Sequence, residues 1–197
     1  YVAEFDRIRV ELEAERIWLV GQSMGAALTM HYAVAKPHRV IGMIITNSAS
    51  GFADPDEWRE RNLTLVKQIA DQVELEGVEC LRDSWVNPGR SRRIHPDTRE
   101  LLSKEFSEHS AQGIVDSFRT TNYSLPLGES VRDISVPVLF THGVEEERFQ
   151  KHLSRVRLIP QVEIVDLPAS HAVNAHDPAG WNQATIAFIK RHTNIGA

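Results

Sequence analysis

The sequence predicts an α/β fold: a mostly parallel sheet flanked by helices, with a helical segment inserted between two of its strands. Three observations lead there. Short apolar runs at 16–20, Val40–Thr46, Val136–Thr141 and Val162–Leu167 suit strands, and the first two are apolar enough to be buried on both faces. Helical patterns separate the runs. Between the second and third, residues 47–135 are far more than one crossover helix requires.

Taken in order, residues 1–13 read as a helix, with Val2, Phe5, Ile8 and Leu12 at helical spacing between acids and arginines. The first strand reads as a central one. A helix after it runs to Lys36 and is ended by Pro37. Residues 47–55 are turn-rich. The long insertion is helical in pattern over Trp58–Glu76, Val78–Val86, Asp97–Glu108 and Ser110–Thr121. The third strand leads into Gly143. The fourth mixes apolar residues with Glu163 and Asp166, as a strand near a sheet edge does. A last helix takes Asp177 as N-cap and Pro178 at its first position, with Trp181, Ala184 and Phe188 turned inward. The expected division is a core of residues 1–50 and 131–197 around an insertion of residues 51–130.

One stretch organises the rest. Ile17-Trp18-Leu19-Val20 runs straight into Gly21-Gln22-Ser23-Met24-Gly25, a G-x-S-x-G, with Ala26 and Ala27 next. Glycines at 21 and 25 relieve crowding where a strand turns sharply into a helix, and Ser23 is left on a strained, exposed corner. Its hydroxyl would stand clear of the backbone, and the Met24 N–H would point to where an oxyanion develops. The bland alternative is a tight strand-to-helix turn with an incidental serine.

The totals exclude several classes. At 197 residues, 42% hydrophobic and 25% charged, the chain is an ordinary globular composition. A net charge of −5 gives no basic footprint for nucleic acid. No apolar run approaches the ~20 residues that a membrane span needs. The single cysteine, Cys80, allows no internal disulfide, and no H-E-x-x-H or comparable spacing marks a metal site. G-x-S-x-G lacks the pattern of a dinucleotide fingerprint. The expectation is therefore no cofactor, no metal and a small-molecule substrate; the location expected is cytoplasmic.

The chain resembles the α/β-hydrolase superfamily on three pieces: GQSMGA at 21–26, PVLFTHG at 137–143 and SHAVNAHDP at 170–178. They follow the family's order of nucleophile, acid and histidine. Within the superfamily the Ser-Met-Gly elbow and the GVEEERF segment look like capped small-molecule hydrolases. Carbon–carbon bond hydrolases of aromatic degradation, enol-lactonases and the menaquinone-pathway lyase are the relatives it suggests. The resemblance makes the insertion a cap. It also implies flanking strands and an oxyanion loop that precede the elbow strand. No such loop occurs between Tyr1 and Ile17, so the expectation is a C-terminal portion of a longer hydrolase, with the N-terminal strands absent.

For the site, Ser23 is the candidate nucleophile and His171, within Ala169-Ser170-His171, the candidate base. The family's acid position, three residues past the strand-ending glycine, falls on Glu146; Glu145 or Glu147 could serve after a small loop adjustment. Asn47, where some relatives carry the acid, has no carboxylate. Gln22, Trp58, Trp85 and His142 are candidate substrate contacts, although both tryptophans fit equally well as core. These residues suggest hydrolysis of a small ester, lactone or vinylogous ketone. The rival is a ligand-binding or receptor-type fold with vestigial catalysis.

Overall fold

The computed structural model describes residues 1–84 and 86–193, with the backbone alone at 62–64. In chain order the elements are α1 (Val2–Glu11), β1 (Ile17–Gly21), α2 (Met24–Ala35), β2 (Val40–Thr46), α3 (Pro55–Glu76), α4 (Pro96–Ser107), α5 (Ala111–Asp116), β3 (Val138–Gly143), α6 (Leu153–Val156), β4 (Val162–Leu167), α7 (Val173–His176) and α8 (Pro178–His192). Tyr1–Pro55 with Leu125–Ala197 forms one compact unit, and Asp56–Ser124 a second.

The first unit holds a four-stranded parallel sheet in the order β1-β2-β3-β4. Alternation along the strands sends side chains to two helical layers. Met43, Ile45, Val138 and Phe140 pack with Ala26, Ala27, Met30 and Ala33 of α2. On the opposite face Ile44 and Leu139 pack against Phe188 of α8. Burial of this two-sided kind is why β2 is almost wholly apolar. Asp177 caps α8 by accepting from the Gly180 N–H at 3.0 Å, ahead of Pro178 at the first helical position.

The strands differ from expectation in two places. The third starts at Val138 and extends through Gly143, two residues later than its apolar run suggests. Pro137 has no N–H to give the ladder, so it contributes only its carbonyl, which accepts from Met43 at 2.9 Å. At the far end His142 and Gly143 pair with Asp166 and Leu167 of β4. β1, read as central, is an edge of the described sheet with β2 as its neighbour, and Val20 is 56% exposed.

The second unit is smaller than the 51–130 segment expected from sequence. Phe52 on one side, and Leu125 and Leu127 on the other, are buried in the core of the first unit. Within Asp56–Ser124, Ile69, Ala70 and Val73 of α3 form an apolar cluster with Leu81 and Val115, and Cys80 packs against it. Among the described residues, a 3₁₀ turn over Val78–Leu81 stands where a helix through Val86 is predicted. There Asn87 draws the chain into a turn, donating to the Arg82 carbonyl and accepting from the Gly89 N–H. α5 widens into a π-turn over Ser117–Thr121, where the Ser117 and Thr120 hydroxyls bond the carbonyls four residues back. Among the described residues, no helix is long and apolar enough to cross a membrane.

Candidate active site

The site is built where β1, β2, β3 and β4 end. β1 runs to Gly21, and a Cβ there would come within 2.6 Å of the Gly25 carbonyl oxygen and 2.7 Å of the Ala26 backbone. Only glycine permits the strand to fold back so closely on α2. The second glycine has no such role: a Cβ on Gly25 would meet nothing within 4 Å among the described residues. The sequence reading that both glycines relieve crowding is corrected to Gly21 alone.

Ser23 takes φ 54° and ψ −118°, a conformation that costs a side-chain-bearing residue about 1–3 kcal/mol. It is the N-cap residue of α2, yet its hydroxyl does not cap the helix. A serine at this place ordinarily turns its oxygen onto the first-turn N–H groups. Here the Ser23 carbonyl accepts from Ala26 at 3.1 Å, and the hydroxyl lies 2.9 Å from His171 Nε2. Met24 opens α2, so its N–H belongs to the first turn, which has no intrahelical acceptor.

The short loop between β4 and α7 carries His171. Within it the Ala169 N–H donates to Leu167, and the Ser170 N–H donates to His176 Nδ1 at 3.2 Å. The loop lies against the end of β3: Val144 and Glu145 donate their N–H groups to Leu167 and Ala169 at 3.1 and 2.9 Å. Gly143 makes this approach possible, since a Cβ would stand 2.3 Å from the Ser170 carbonyl oxygen. The turn that follows brings the Glu146 N–H onto the Gly143 carbonyl at 3.2 Å and aims the side chain inward.

Of the three consecutive acids, Glu146 is the one whose carboxylate meets the imidazole, with Oε1 2.9 Å from His171 Nδ1. Glu145 and Glu147 are exposed. Burial pushes the Glu146 carboxyl up, but the hydrogen bond and charge of His171, the Asn47 amide and the Arg148 charge outweigh it. The carboxyl is held below its ordinary value. An ionised carboxylate only accepts, so Nδ1 carries a hydrogen, and in the neutral imidazole Nε2 then offers its lone pair to the Ser23 hydroxyl. The arrangement can accept a proton from Ser23 and hold the resulting charge.

The remaining predicted residues fall differently. Gln22 flanks Ser23, half-buried, with its carbonyl accepting from Gly25. Trp58 lies in the second unit and donates its indole N–H to the Asn122 carbonyl at 2.8 Å. Trp85 lies outside the described residues. His142 is corrected: it is 4% exposed, with Nδ1 2.7 Å from Asp166 Oδ1 and Nε2 3.2 Å from Gln150 Nε2. Strand alternation sets its ring on the Phe140 side, stacked on Phe140 and tilted against Phe149, and both nitrogens are engaged. It is not available to a substrate. Asn47 is the residue that sequence reasoning passed over. It is fully buried, and its Nδ2 donates to Glu146 Oε2 at 2.8 Å. The signals were its place at the end of a strand and the resemblance, in which some relatives carry the acid at that place.

A model of the alpha/beta hydrolase family matches residues 1–184. The chain belongs to that family. It is an α/β-fold hydrolase. Two curated relatives illustrate this similarity. The 2-succinyl-6-hydroxy-2,4-cyclohexadiene-1-carboxylate synthase of Serratia proteamaculans is 25% identical over 172 residues, covering 80% of this hydrolase and 67% of the relative. The 3-oxoadipate enol-lactonase 2 of Acinetobacter baylyi is 24% identical over 195 residues, covering 91% and 66%. Among solved structures, MenH from S. aureus superposes with a TM-score of 0.83 at 19% identity, over 98% of this hydrolase and 75% of that chain. The likeness to MenH is one of fold.

Proposed function

We propose that this hydrolase cleaves a small ester, lactone or vinylogous ketone through a Ser23–His171–Glu146 triad. The observation that carries the reading is the continuous path from Ser23 Oγ to His171 Nε2 and from Nδ1 to Glu146 Oε1, 2.9 Å at each step. It begins at a serine whose hydroxyl has been withheld from helix capping. In acyl transfer Ser23 Oγ bonds to the substrate carbonyl carbon as its proton passes to Nε2. The carbonyl pair moves onto oxygen, where the Met24 N–H donates to it. Collapse expels the leaving group, which takes the proton from His171. Water then attacks the acyl-serine with His171 again as base, and Ser23 is restored. In the carbon–carbon branch the serine helps polarise and hydrate the carbonyl instead.

Glu146 keeps the imidazole in the tautomer that these steps need and stabilises its positive charge. None of the steps calls on a cofactor. The relatives named for a cyclohexadiene carboxylate and for an oxoadipate enol-lactone support a small oxygenated substrate. The same proposal gives the Asp56–Ser124 unit the role of cap, and Gln22 and Trp58 that of substrate contacts.

A fluorophosphonate probe tests the reading directly. The expected result is one adduct on Ser23, absent from Ser23→Ala, by intact mass and peptide mapping. A folded chain that does not react favours the ligand-binding alternative. Turnover of p-nitrophenyl esters beside a meta-cleavage dienoate then separates ester from carbon–carbon cleavage.

A further inference from the structure

We infer that Asn47 is a positioning residue for the acid: its amide, oriented by the Gly143 backbone, holds one Glu146 oxygen so that the other faces His171. The inference rests on the triad reading above and extends it to a residue outside the triad. Asn47 directly follows β2 and is fully buried. Its Oδ1 accepts from the Gly143 N–H at 3.1 Å. Its Nδ2 donates to the Gly143 carbonyl at 3.0 Å and to Glu146 Oε2 at 2.8 Å.

A backbone N–H can only donate and a backbone carbonyl can only accept. Gly143 therefore fixes which way round the amide sits. Nδ2 has two hydrogens, and with one on the Gly143 carbonyl the other is left for the carboxylate. Tying β2 to β3 would need only the two bonds to Gly143; the third bond reaches the acid. Glutamate has one more rotatable bond than aspartate, and hence more orientations that miss the imidazole. With Oε2 tethered, Oε1 stands 2.9 Å from His171 Nδ1. The charged groups that bear on Glu146 are His171 and Arg148. An aspartate at position 47 would add a negative charge facing the carboxylate and remove the donor.

The test is the rate of fluorophosphonate labelling of Ser23 against pH, in the wild-type chain, Asn47→Asp and Asn47→Ala, with Asn47→Ala repeated on a Glu146→Gln background. Asn47→Asp keeps the size and an acceptor for the Gly143 N–H. Both single variants should label about tenfold or more slowly near neutral pH, the scale of a lost hydrogen bond to a charged group. In Asn47→Asp the acid limb should move to higher pH, because a facing carboxylate disfavours ionised Glu146. On the Glu146→Gln background, Asn47→Ala should cost nothing further, since residues acting through one another are not additive. Wild-type rates and pH limbs in both variants would overturn the inference. So would a full additive loss on the Glu146→Gln background, or loss of the thermal unfolding transition in both variants. A wild-type chain that does not label overturns the triad reading, and this inference with it; a labelled wild type with unchanged Asn47 variants overturns this inference alone.

Discussion

Ser23 Oγ stands 2.9 Å from Nε2 of His171, a residue 148 positions away in sequence. Folding brings two polar residues that are distant in sequence into hydrogen-bonding distance, and the backbone of Ser23 is strained where it presents the hydroxyl.

Removing that hydroxyl should remove the chemistry and leave the fold. Ser23→Ala is expected to lower turnover by roughly four to six powers of ten, as loss of one triad member does. Its thermal transition should match or slightly exceed wild type. Activity on an ester substrate of even a tenth of wild type would refute the assignment.

His171→Ala should be comparably damaging and Glu146→Gln milder, because the acid orients and stabilises without exchanging the proton. Glu147→Gln should be silent, its side chain being exposed. Side-by-side kcat values check this ordering. A crippling Glu147→Gln beside a silent Glu146→Gln would move the acid by one position.

The low-lying Glu146 carboxyl also makes a statement about stability. The ordinary value is 4.5, and the folded value lies below it, since the bonds from His171 and Asn47 outweigh burial. The fold thus favours the ionised form, and the stabilisation is present above the unfolded value and lost as pH falls through the folded one. Thermal midpoints of wild type and Glu146→Gln should therefore converge as the pH is taken from 7 to below 4.5. Midpoints that diverge on acidification would contradict the direction of the shift.

Gly21 and Gly25 should respond in opposite ways to alanine. At Gly21 the new Cβ would lie 2.6 Å from the Gly25 carbonyl oxygen, backbone that cannot swing aside. A loss of about 1–3 kcal/mol is expected, as for other overpacked sites. At Gly25 the space is open, and alanine should be neutral or stabilising by up to about 1 kcal/mol in the first turn of α2. Urea unfolding of both variants decides the matter; equal losses would show that the elbow needs both glycines.

Much of this was written locally. The apolar runs of β2 and β4, the turn at Ser23 and the Asp177–Pro178 start of α8 depend on neighbouring residues, and neighbours are what a sequence displays. The motif order likewise placed the expected acid among residues 145–147 and the expected base at His171.

What only the tertiary structure decided is which atoms meet. Glu146, rather than Glu145 or Glu147, is brought to His171 by the pairing of its loop with Ala169 and by the turn onto the Gly143 carbonyl, both long-range or conformational facts. His142 lies one residue before the end of β3 but is turned by alternation into the Phe140 and Phe149 stack, where Asp166 and Gln150 engage it. Asn47 has no carboxylate, so its residue type argued against a place in the site; its donor lies 2.8 Å from the Glu146 carboxylate only because parallel pairing sets the ends of β2 and β3 side by side. Side-chain periodicity and capping act over a few residues and can be read along the chain. Hydrogen-bond geometry across strands acts through space, and it exists only once the register is fixed.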